Sequence, residues 1–201
     1  MPRGAMVLTA IYGSPRENGN TDLLLKAFVQ GARGQGAEVR EIRLRDLSFS
    51  PCTECGGCSE TGCCVLHDDM GMLYPLLEDS DILVLSAPVF FYNLNALSKA
   101  MVDRCQCFWV RKYMLDRPLR AAAEKRGTGV FLCAGGSKGK RNFDCTLLTV
   151  RYFFDALGMD FARHLAYRDI NDKGAIERHP DALAEARDLG KQLARDPASG
   201  Q

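Results

Sequence analysis

Apolar residues along the chain fall into short continuous runs and into segments where they recur every three or four positions. Short runs bounded by turn residues predict buried strands, and the longer spacing predicts amphipathic helices. The predicted strands are 5–13, 37–44, 81–91, 128–136 and 159–167, and the predicted helices are 21–36, 68–80, 95–113, 143–158 and 181–196. Five strands that alternate with helices predict an α/β protein with a doubly wound parallel sheet.

Two of these segments carry further detail. Residues 37–44 alternate between apolar and polar, which predicts a strand with one solvated face or a place near the sheet edge. Pro75 predicts a kink or break in the second helix. No repeat or linker interrupts the pattern, so we expect one domain over residues 1–196, with a cysteine-rich loop at 51–64 and a disordered tail at 197–201.

Composition narrows the class of protein. The chain has 201 residues, 46% of them hydrophobic, which is enough for one sizeable core. The net charge is +1 with acids and bases interspersed, so we expect no nucleic-acid or membrane partner. The N-terminal segment lacks the features of a signal peptide, and no run approaches the roughly 18 apolar residues of a membrane helix. We therefore expect a cytoplasmic protein.

The loop after the first strand, "GSPRENGNT" at 13–21, is polar and precedes a helix. It lacks the lysine of a Walker A loop and the glycines of a dinucleotide fingerprint. Its hydroxyls, amides, guanidinium and backbone N–H groups nevertheless suit a terminal phosphate. The candidate residues are Ser14, Arg16, Asn18, Asn20 and Thr21. An ordinary polar turn with Asn20 or Thr21 as the helix N-cap is the alternative.

Two further loops follow strands and should meet the first at the same edge of the sheet. "SAPVFFYNLNALSK" at 86–99 offers a rigid, aromatic lip, and "CAGGSKGKRN" at 133–142 offers glycines that let backbone N–H groups approach a planar ring. Aromatic residues that cap the core are the alternative for the former loop. Three ligand-compatible loops at one edge favour a cofactor site.

The stretch "PCTECGGCSETGCCVLHDDM" at 51–70 places five cysteines in thirteen residues. A disulfide framework is the weakest explanation, because nine cysteines is an odd number and no secretion signal is evident. Zinc sites with four cysteine ligands use two short pairs held apart by a longer spacer, which this loop lacks. Zinc and an iron–sulfur cluster remain the two candidates.

Four blocks of the sequence resemble the NADPH-dependent FMN reductase-like flavoproteins, and specifically their iron–sulfur flavoprotein branch. The blocks are "GSPRENGNT", the "DDM" after the cysteines, "SAPVFFYNLNALSKAMVDR" and "GAIERHPDALAEARDLG". The resemblance implies a flavodoxin-like, three-layer fold with five parallel strands, bound FMN, and a homodimer or homotetramer. It also implies that the first loop holds the FMN phosphate. The other two loops would line the ribityl chain and ring through Pro88, Val89, Phe90, Phe91, Tyr92, Asn93, Ala134, Gly135, Gly136 and Ser137.

The same resemblance gives the cysteine loop a ligand set. Cys52, Cys55 and Cys58, followed by Cys63 or Cys64, match the compact loop that binds a [4Fe–4S] cluster. In the family pattern a cysteine is followed by "V-x-x-DD", so Cys64 is the expected fourth ligand. Cys105, Cys107, Cys133 and Cys145 lie in predicted helices or a strand, and we expect them in the core.

We expect no catalytic acid–base pair, because the flavin carries the chemistry and no histidine stands in a triad-like pattern. Lys99 and Arg104 should fix helix or subunit contacts. The leading hypothesis is electron transfer from a one-electron donor such as ferredoxin, through cluster and FMN, to a quinone, peroxide or oxygen. One alternative is a cluster-free NAD(P)H-dependent FMN or quinone reductase, with Lys138, Lys140 and Arg141 near the nucleotide. The other is a non-catalytic FMN carrier or sensor with a zinc-stabilised loop. Association should involve the cysteine-loop side.

Overall fold

The computed structural model describes residues 5–120 and 127–195. The strands are β1 (Val7–Tyr12), β2 (Glu38–Arg43), β3 (Ile82–Phe90), β4 (Asn93–Leu94), β5 (Gly127–Ala134) and β6 (Met159–Tyr167). The helices are α1 (Asn20–Arg33), α2 (Met70–Asp79), α3 (Ala96–Arg104), α4 (Gln106–Trp109), α5 (Asp144–Ala156) and α6 (Ala182–Arg195). The predicted disordered tail at 197–201 lies outside the described residues.

The sheet has the strand order β2-β1-β3-β5-β6, and all four of these pairings are parallel. This confirms the predicted flavodoxin-like sheet of five parallel strands, with β2 at one edge. The short strand β4, which the pattern did not predict, pairs antiparallel with the end of β3. The order reverses between β1 and β3, so the crevice beside their carboxyl ends is the expected ligand site of a doubly wound sheet.

Side chains of the central strands alternate between two cores, one on each face of the sheet. Leu8 and Ala10 of β1 pack with α1 and α6, whereas Ile11 packs on the opposite face with α2, α3 and α5. This alternation follows from the two-residue period of a strand, and continuous apolar runs result because both faces are covered. The predicted three-layer α/β/α arrangement is confirmed.

The helices on the first face approach closely at two glycines. A Cβ at Gly31 would lie 2.0 Å from the carbonyl oxygen of Arg187, and one at Gly190 would lie 2.1 Å from that of Phe28. Any larger residue at either position would push α1 and α6 apart. The close packing fixes the helix whose N-terminus faces the crevice.

The predicted helix at 95–113 is interrupted. It ends at Arg104, turns at Cys105 and continues as α4, and Leu115 N–H then donates to the Val110 carbonyl at 3.0 Å, an i to i+5 bond that closes a π-helical turn. Such turns widen a helix and occur often at functional sites. No helix among the described residues is long and apolar enough to cross a membrane.

Candidate functional site

A cavity of about 360 Å³ opens at the carboxyl ends of β1, β3, β5 and β6. Its size is within the range of small-molecule sites. The three predicted loops contribute Ser14, Arg16, Asn20, Thr21, Pro88, Val89, Phe90, Ala134, Gly135 and Gly136 to its wall. The structure therefore brings the three loops together at the strand-order reversal, and we call this space the crevice cavity.

The first loop curls over the N-terminus of α1. Ser14 Oγ accepts the Arg16 backbone N–H at 3.1 Å, and Gly19 N–H donates to the Arg16 carbonyl at 3.2 Å. Gly19 is the helix N-cap, so the first N–H groups of α1, which have no partner within the helix, face this loop. The Arg16 side chain is exposed and forms no ion pair with a described residue. An anion in the crevice cavity would meet a free guanidinium and a helix N-terminus.

Arg45 and Asp22 support this loop from below. Arg45 Nη1 donates to the Ser14 carbonyl at 3.2 Å and lies 3.1 Å from Asp22 Oδ2, which also accepts the Asn18 N–H at 3.0 Å. Burial raises the pKa of Asp22 above its ordinary value, although Arg45 opposes the shift. Arg45 therefore compensates the charge of the buried Asp22 carboxylate and holds the loop backbone in place. This compensation reduces the repulsion between Asp22 and an anion in the crevice cavity.

The second loop is a two-residue hairpin between β3 and β4. Phe90 pairs with Asn93, and the two residues between them, Phe91 and Tyr92, have positive φ values of 49° and 65°. Two left-handed residues in succession define the tight hairpin turn that glycine or asparagine usually fills. Asn93 Oδ1 accepts the Leu94 N–H at 2.8 Å. The turn therefore directs Phe91 and Tyr92 outward into solvent, while Pro88, Val89 and Phe90 form the cavity wall.

The third loop is closed by a segment that the pattern did not single out. Asn171 Nδ2 donates to the Gly136 carbonyl at 3.3 Å, and Ile170 N–H donates to the Gly135 carbonyl at 3.2 Å. A Cβ at Gly136 would lie 2.0 Å from Asn171 Oδ1, so any larger residue here would displace the Asn171 side chain. Ile170 and Asn171 also line the cavity. They follow β6 directly, and the rule that ligands gather at strand carboxyl ends could have identified them.

Five predicted cofactor residues do not reach the cavity wall: Asn18, Phe91, Tyr92, Asn93 and Ser137. Asn18 accepts from Lys26 Nζ at 2.5 Å, and Ser137 Oγ accepts the Gly139 N–H at 3.1 Å. Both therefore shape their loops instead. Lys138 pairs with Asp169 at 3.3 Å and Arg141 with Asp144 at 2.9 Å, both at the surface.

The cysteine loop borders a second cavity, of about 540 Å³. Its wall includes Cys52, Cys55, Cys58 and Cys64, which are the four predicted ligands, but not Cys63. Glu54 and Gly56 have positive φ values of 55° and 73°, which curl the backbone between the first three cysteines. The thiols lie around the wall rather than converging, and no three His, Cys, Asp or Glu side chains of the described residues could hold a single metal ion. We call this space the cysteine cavity.

Burial and neighbouring groups shift the pKa values of two thiols in this cavity. Burial, together with the nearby thiols of Cys64, Cys52 and Cys55, raises the pKa of Cys58. Burial acts in the same direction on Cys64, but the Leu66 backbone and the nearby Tyr74 hydroxyl and Arg104 guanidinium outweigh it and bring its pKa below the ordinary value. These neighbours therefore favour the thiolate form of Cys64.

Two aspartates anchor the ends of the cysteine loop. Asp68 accepts the Ser50 N–H at 3.2 Å, and Asp69 accepts the Ser48 N–H at 2.7 Å. Asp68 also forms a two-pronged ion pair with Arg104, at 2.5 and 3.0 Å. The "DDM" block therefore closes the loop at its base, where the chain enters and leaves the cysteine cavity.

Helix α3 connects the two cavities. Near its start, Asn95 Nδ2 and Ser98 Oγ donate to the Gly13 carbonyl at 2.9 and 3.1 Å, directly behind the first loop. Its last residue, Arg104, lines the cysteine cavity. Nine residues span about 13 Å of helix, so the two cavities lie at opposite ends of one short rigid element.

The four remaining cysteines were expected in the core, and no histidine was expected in a catalytic triad. Cys105 and Cys133 are buried as expected, but Cys145 is exposed, because it faces outward from α5. Cys107 is buried yet lines the cysteine cavity, and burial raises its pKa to about 12. His67, His164 and His179 line neither cavity.

Comparison of the sequence with known proteins identifies a family and several relatives. The sequence pattern of the NADPH-dependent FMN reductase family matches residues 6–161. An iron–sulfur flavoprotein of Methanocaldococcus jannaschii is 28% identical over 196 residues, which cover 94% of this chain and 96% of the relative. An iron–sulfur flavoprotein of Archaeoglobus fulgidus is 37% identical over 99 residues, which cover 49% of this chain and 45% of the relative.

Solved structures share the fold at low identity. An NAD(P)H:quinone oxidoreductase from Methanothermobacter marburgensis has a TM-score of 0.67 at 16% identity, covering 94% of this chain and 96% of its own. An FMN-dependent NADH-azoreductase of Bacillus anthracis, solved in complex with FMN, has a TM-score of 0.63 at 12% identity, covering 94% and 99%. The family match defines the class, a flavin-dependent oxidoreductase. Since the family pattern spans most of the sequence, the chain belongs to the NADPH-dependent FMN reductase family.

Proposed function

We propose that the protein binds FMN in the crevice cavity and a [4Fe–4S] cluster in the cysteine cavity. It would pass electrons from a one-electron donor such as ferredoxin to a small acceptor such as a quinone, peroxide or oxygen. The observation that carries this proposal is the shared wall of the cysteine cavity, where Cys52, Cys55, Cys58 and Cys64 surround one space. The names of the full-length and partial relatives, iron–sulfur flavoproteins, agree with it.

The residues of the crevice cavity fit FMN. The free guanidinium of Arg16, Ser14 and the N-terminus of α1 suit the phosphate, because each offers a donor or positive charge to an anion. Pro88, Val89 and Phe90 offer an apolar wall, and Gly135 and Gly136 leave backbone exposed where a flat ring would lie. When bound, FMN supplies one- and two-electron chemistry, and the chain supplies binding, orientation and exclusion of water.

The cysteine cavity suits a cluster better than zinc. Zinc–thiolate bonds are about 2.3 Å, so four sulfurs on one zinc ion must surround a single point closely. The cube of a [4Fe–4S] cluster separates its four thiolates, so it does not need them to meet at a single point, and the four cysteines line one space. Cys64 contributes a sulfur that Arg104 and Tyr74 already favour as a thiolate. Zinc remains the rival that metal analysis would reveal.

The helix between the cavities supports electron passage within one chain. Helix α3 is only about 13 Å long, Asn95 and Ser98 couple its start to the first loop, and Arg104 at its end lines the cysteine cavity. The chain's task in this account is to hold the two redox groups at a fixed separation. The second candidate donor is NAD(P)H, which the family name and the quinone oxidoreductase with a similar fold favour.

An anaerobic transfer experiment tests this function. The FMN- and iron-loaded protein is mixed with reduced ferredoxin and then with a quinone, while flavin absorbance is followed. We expect bleaching by ferredoxin and recovery on quinone addition, and loss of the ferredoxin step in Cys52→Ala. Equal bleaching of Cys52→Ala by ferredoxin would overturn the cluster's part in the transfer. Rapid bleaching by NADPH in both proteins would favour the cluster-free reductase.

We also infer that the protein forms a homodimer or homotetramer. Phe91 is fully exposed, Phe90 and Tyr92 are half exposed, and Trp109 and Tyr113 add exposed aromatic surface near the cysteine cavity. Exposed apolar patches of this kind often mark interfaces. Sedimentation at micromolar concentration tests the inference, and a monomer would contradict it.

A further inference from the structure

The side chain of Arg104 is fully buried at the end of α3, and most of its donors are occupied. Nη1 and Nη2 donate to the two oxygens of Asp68, and Nη1 also donates to the Ser50 carbonyl at 2.9 Å. Nε is the exception: it is buried and no described residue accepts its proton by hydrogen-bond geometry. A buried donor on a charged group that stays without an acceptor is costly and calls for a physical explanation.

The surroundings of Arg104 indicate what Nε faces. Arg104 lines the cysteine cavity, and Cys64, one of the proposed ligands, lies on the same wall. Among the described residues on the cavity wall, Arg104 is the one permanent cation, whereas Glu54 and Asp103 are acidic. Four thiolates would add negative charge to a wall on which Arg104, already paired with Asp68, is the one cation among the described residues.

Asp68 and Ser50 fix this guanidinium in place. The two-pronged pair sets the plane of the group, and the Ser50 carbonyl holds it at the base of the cysteine loop. Arginine suits this position better than lysine, because its planar guanidinium can bind Asp68 through two nitrogens and still present the N–H of the third nitrogen elsewhere. Nε is thus the one guanidinium nitrogen without an acceptor among the described residues.

We propose that Arg104 is a positioning residue of the cysteine cavity, whose Nε–H donates to a sulfur held there and whose charge stabilises the reduced form of the iron–sulfur group. This inference rests on the proposed function, because it needs a cluster in the cavity. Hydrogen bonds to the sulfurs and local net charge are established determinants of cluster potential. A reduced cluster carries one more negative charge, so a buried cation nearby favours reduction and raises the potential.

The test is a spectroelectrochemical titration of the reconstituted cluster in Arg104→Gln and Arg104→Lys, after iron and sulfide have been measured in each sample. We expect a more negative potential in Arg104→Gln and a smaller shift in Arg104→Lys, which keeps the charge but loses the fork. Lys191→Gln is the matched control, since it removes a cation from an exposed ion pair with Asp188 on α6, and neither residue lines the cysteine cavity. Its potential should stay at the wild-type value.

The possible outcomes distinguish a failure of the proposed function from a failure of the inference about Arg104. A wild-type chain that takes up no iron overturns the proposed function and this inference together. A wild-type cluster with an unchanged potential in Arg104→Gln overturns the inference alone, as do equal shifts in Arg104→Gln and Lys191→Gln. If Arg104→Gln fails to fold, Arg104→Lys decides, and a wild-type potential in that variant contradicts the proposal.

Discussion

Cys63 and Cys64 are neighbours in the chain, yet of the two only the Cys64 side chain lines the cysteine cavity. Cys63 is exposed, and its backbone N–H donates to Thr61 Oγ1 at 3.1 Å in a local turn. The two thiols therefore form a natural matched pair for testing which sulfur is the fourth ligand.

We expect Cys64→Ala to lose most of the iron and visible absorption after anaerobic reconstitution, because one iron would lack its thiolate. Cys63→Ala should retain both. Iron analysis and absorption spectra of the two variants, prepared in parallel, provide the measurement. The reverse pattern would transfer the ligand to Cys63, and two unaffected variants would contradict a fixed four-cysteine site.

Arg16 should make the main charged contact with the FMN phosphate. Arg16→Ala removes a charge-assisted hydrogen bond, so we expect a loss of about 1.5 to 3 kcal/mol, or roughly 10- to 150-fold in Kd. Flavin fluorescence titration measures the change. Lys191→Ala is the control, because it removes the same charge from an exposed ion pair with Asp188 outside the cavity, and its Kd should be unchanged.

The close contact at Gly136 predicts a defect in binding rather than in folding. In Gly136→Ala the new Cβ would displace the exposed Asn171 side chain from its bond to the Gly136 carbonyl. We expect a weaker FMN affinity by about 0.5 to 1.5 kcal/mol and little change in the free energy of unfolding. Gly71→Ala, at a helix position with open space, should leave FMN binding unaltered. A wild-type Kd in Gly136→Ala would contradict the assigned position of the ring.

The ion pair between Asp68 and Arg104 makes stability depend on acidity. The hydrogen bond from Arg104 lowers the pKa of Asp68, so as pH falls the unfolded chain binds this proton first, near pH 3.9. The stabilisation is complete above about pH 5 and is lost as pH falls through the lower folded pKa. In the metal-free protein, Asp68→Asn should therefore show a shallower fall in unfolding free energy below about pH 4. Asp46→Asn, at an exposed carboxylate, is the control, and an identical slope in wild type and Asp68→Asn would contradict the prediction.

The sequence predicted the five parallel strands because continuous apolar runs such as 81–91 arise only where both faces of a strand are covered. It also predicted which loops meet, since strand ends share one edge. It did not predict the hairpin turn at Phe91 and Tyr92, because bulky aromatics disfavour positive φ and no asparagine or glycine signals such a turn.

The residues that support the walls of the two cavities could not be predicted from the sequence pattern either. Asn171 reaches Gly136 across 35 positions, and Arg104 reaches Asp68 across 36, so no local spacing relates either pair. Arg104 was expected to fix a helix or subunit contact, and the structure adds its place on the cavity wall. Side chains that act through long-range tertiary contacts emerge only once the chain is folded.

The most direct test of the account is the metal content of the anaerobically purified protein. Iron, acid-labile sulfide and zinc are measured per chain, together with the absorption spectrum before and after reduction. The account predicts about four iron and four sulfide per chain and partial bleaching on reduction, as a [4Fe–4S] cluster requires. Stoichiometric zinc with neither iron nor sulfide would contradict it.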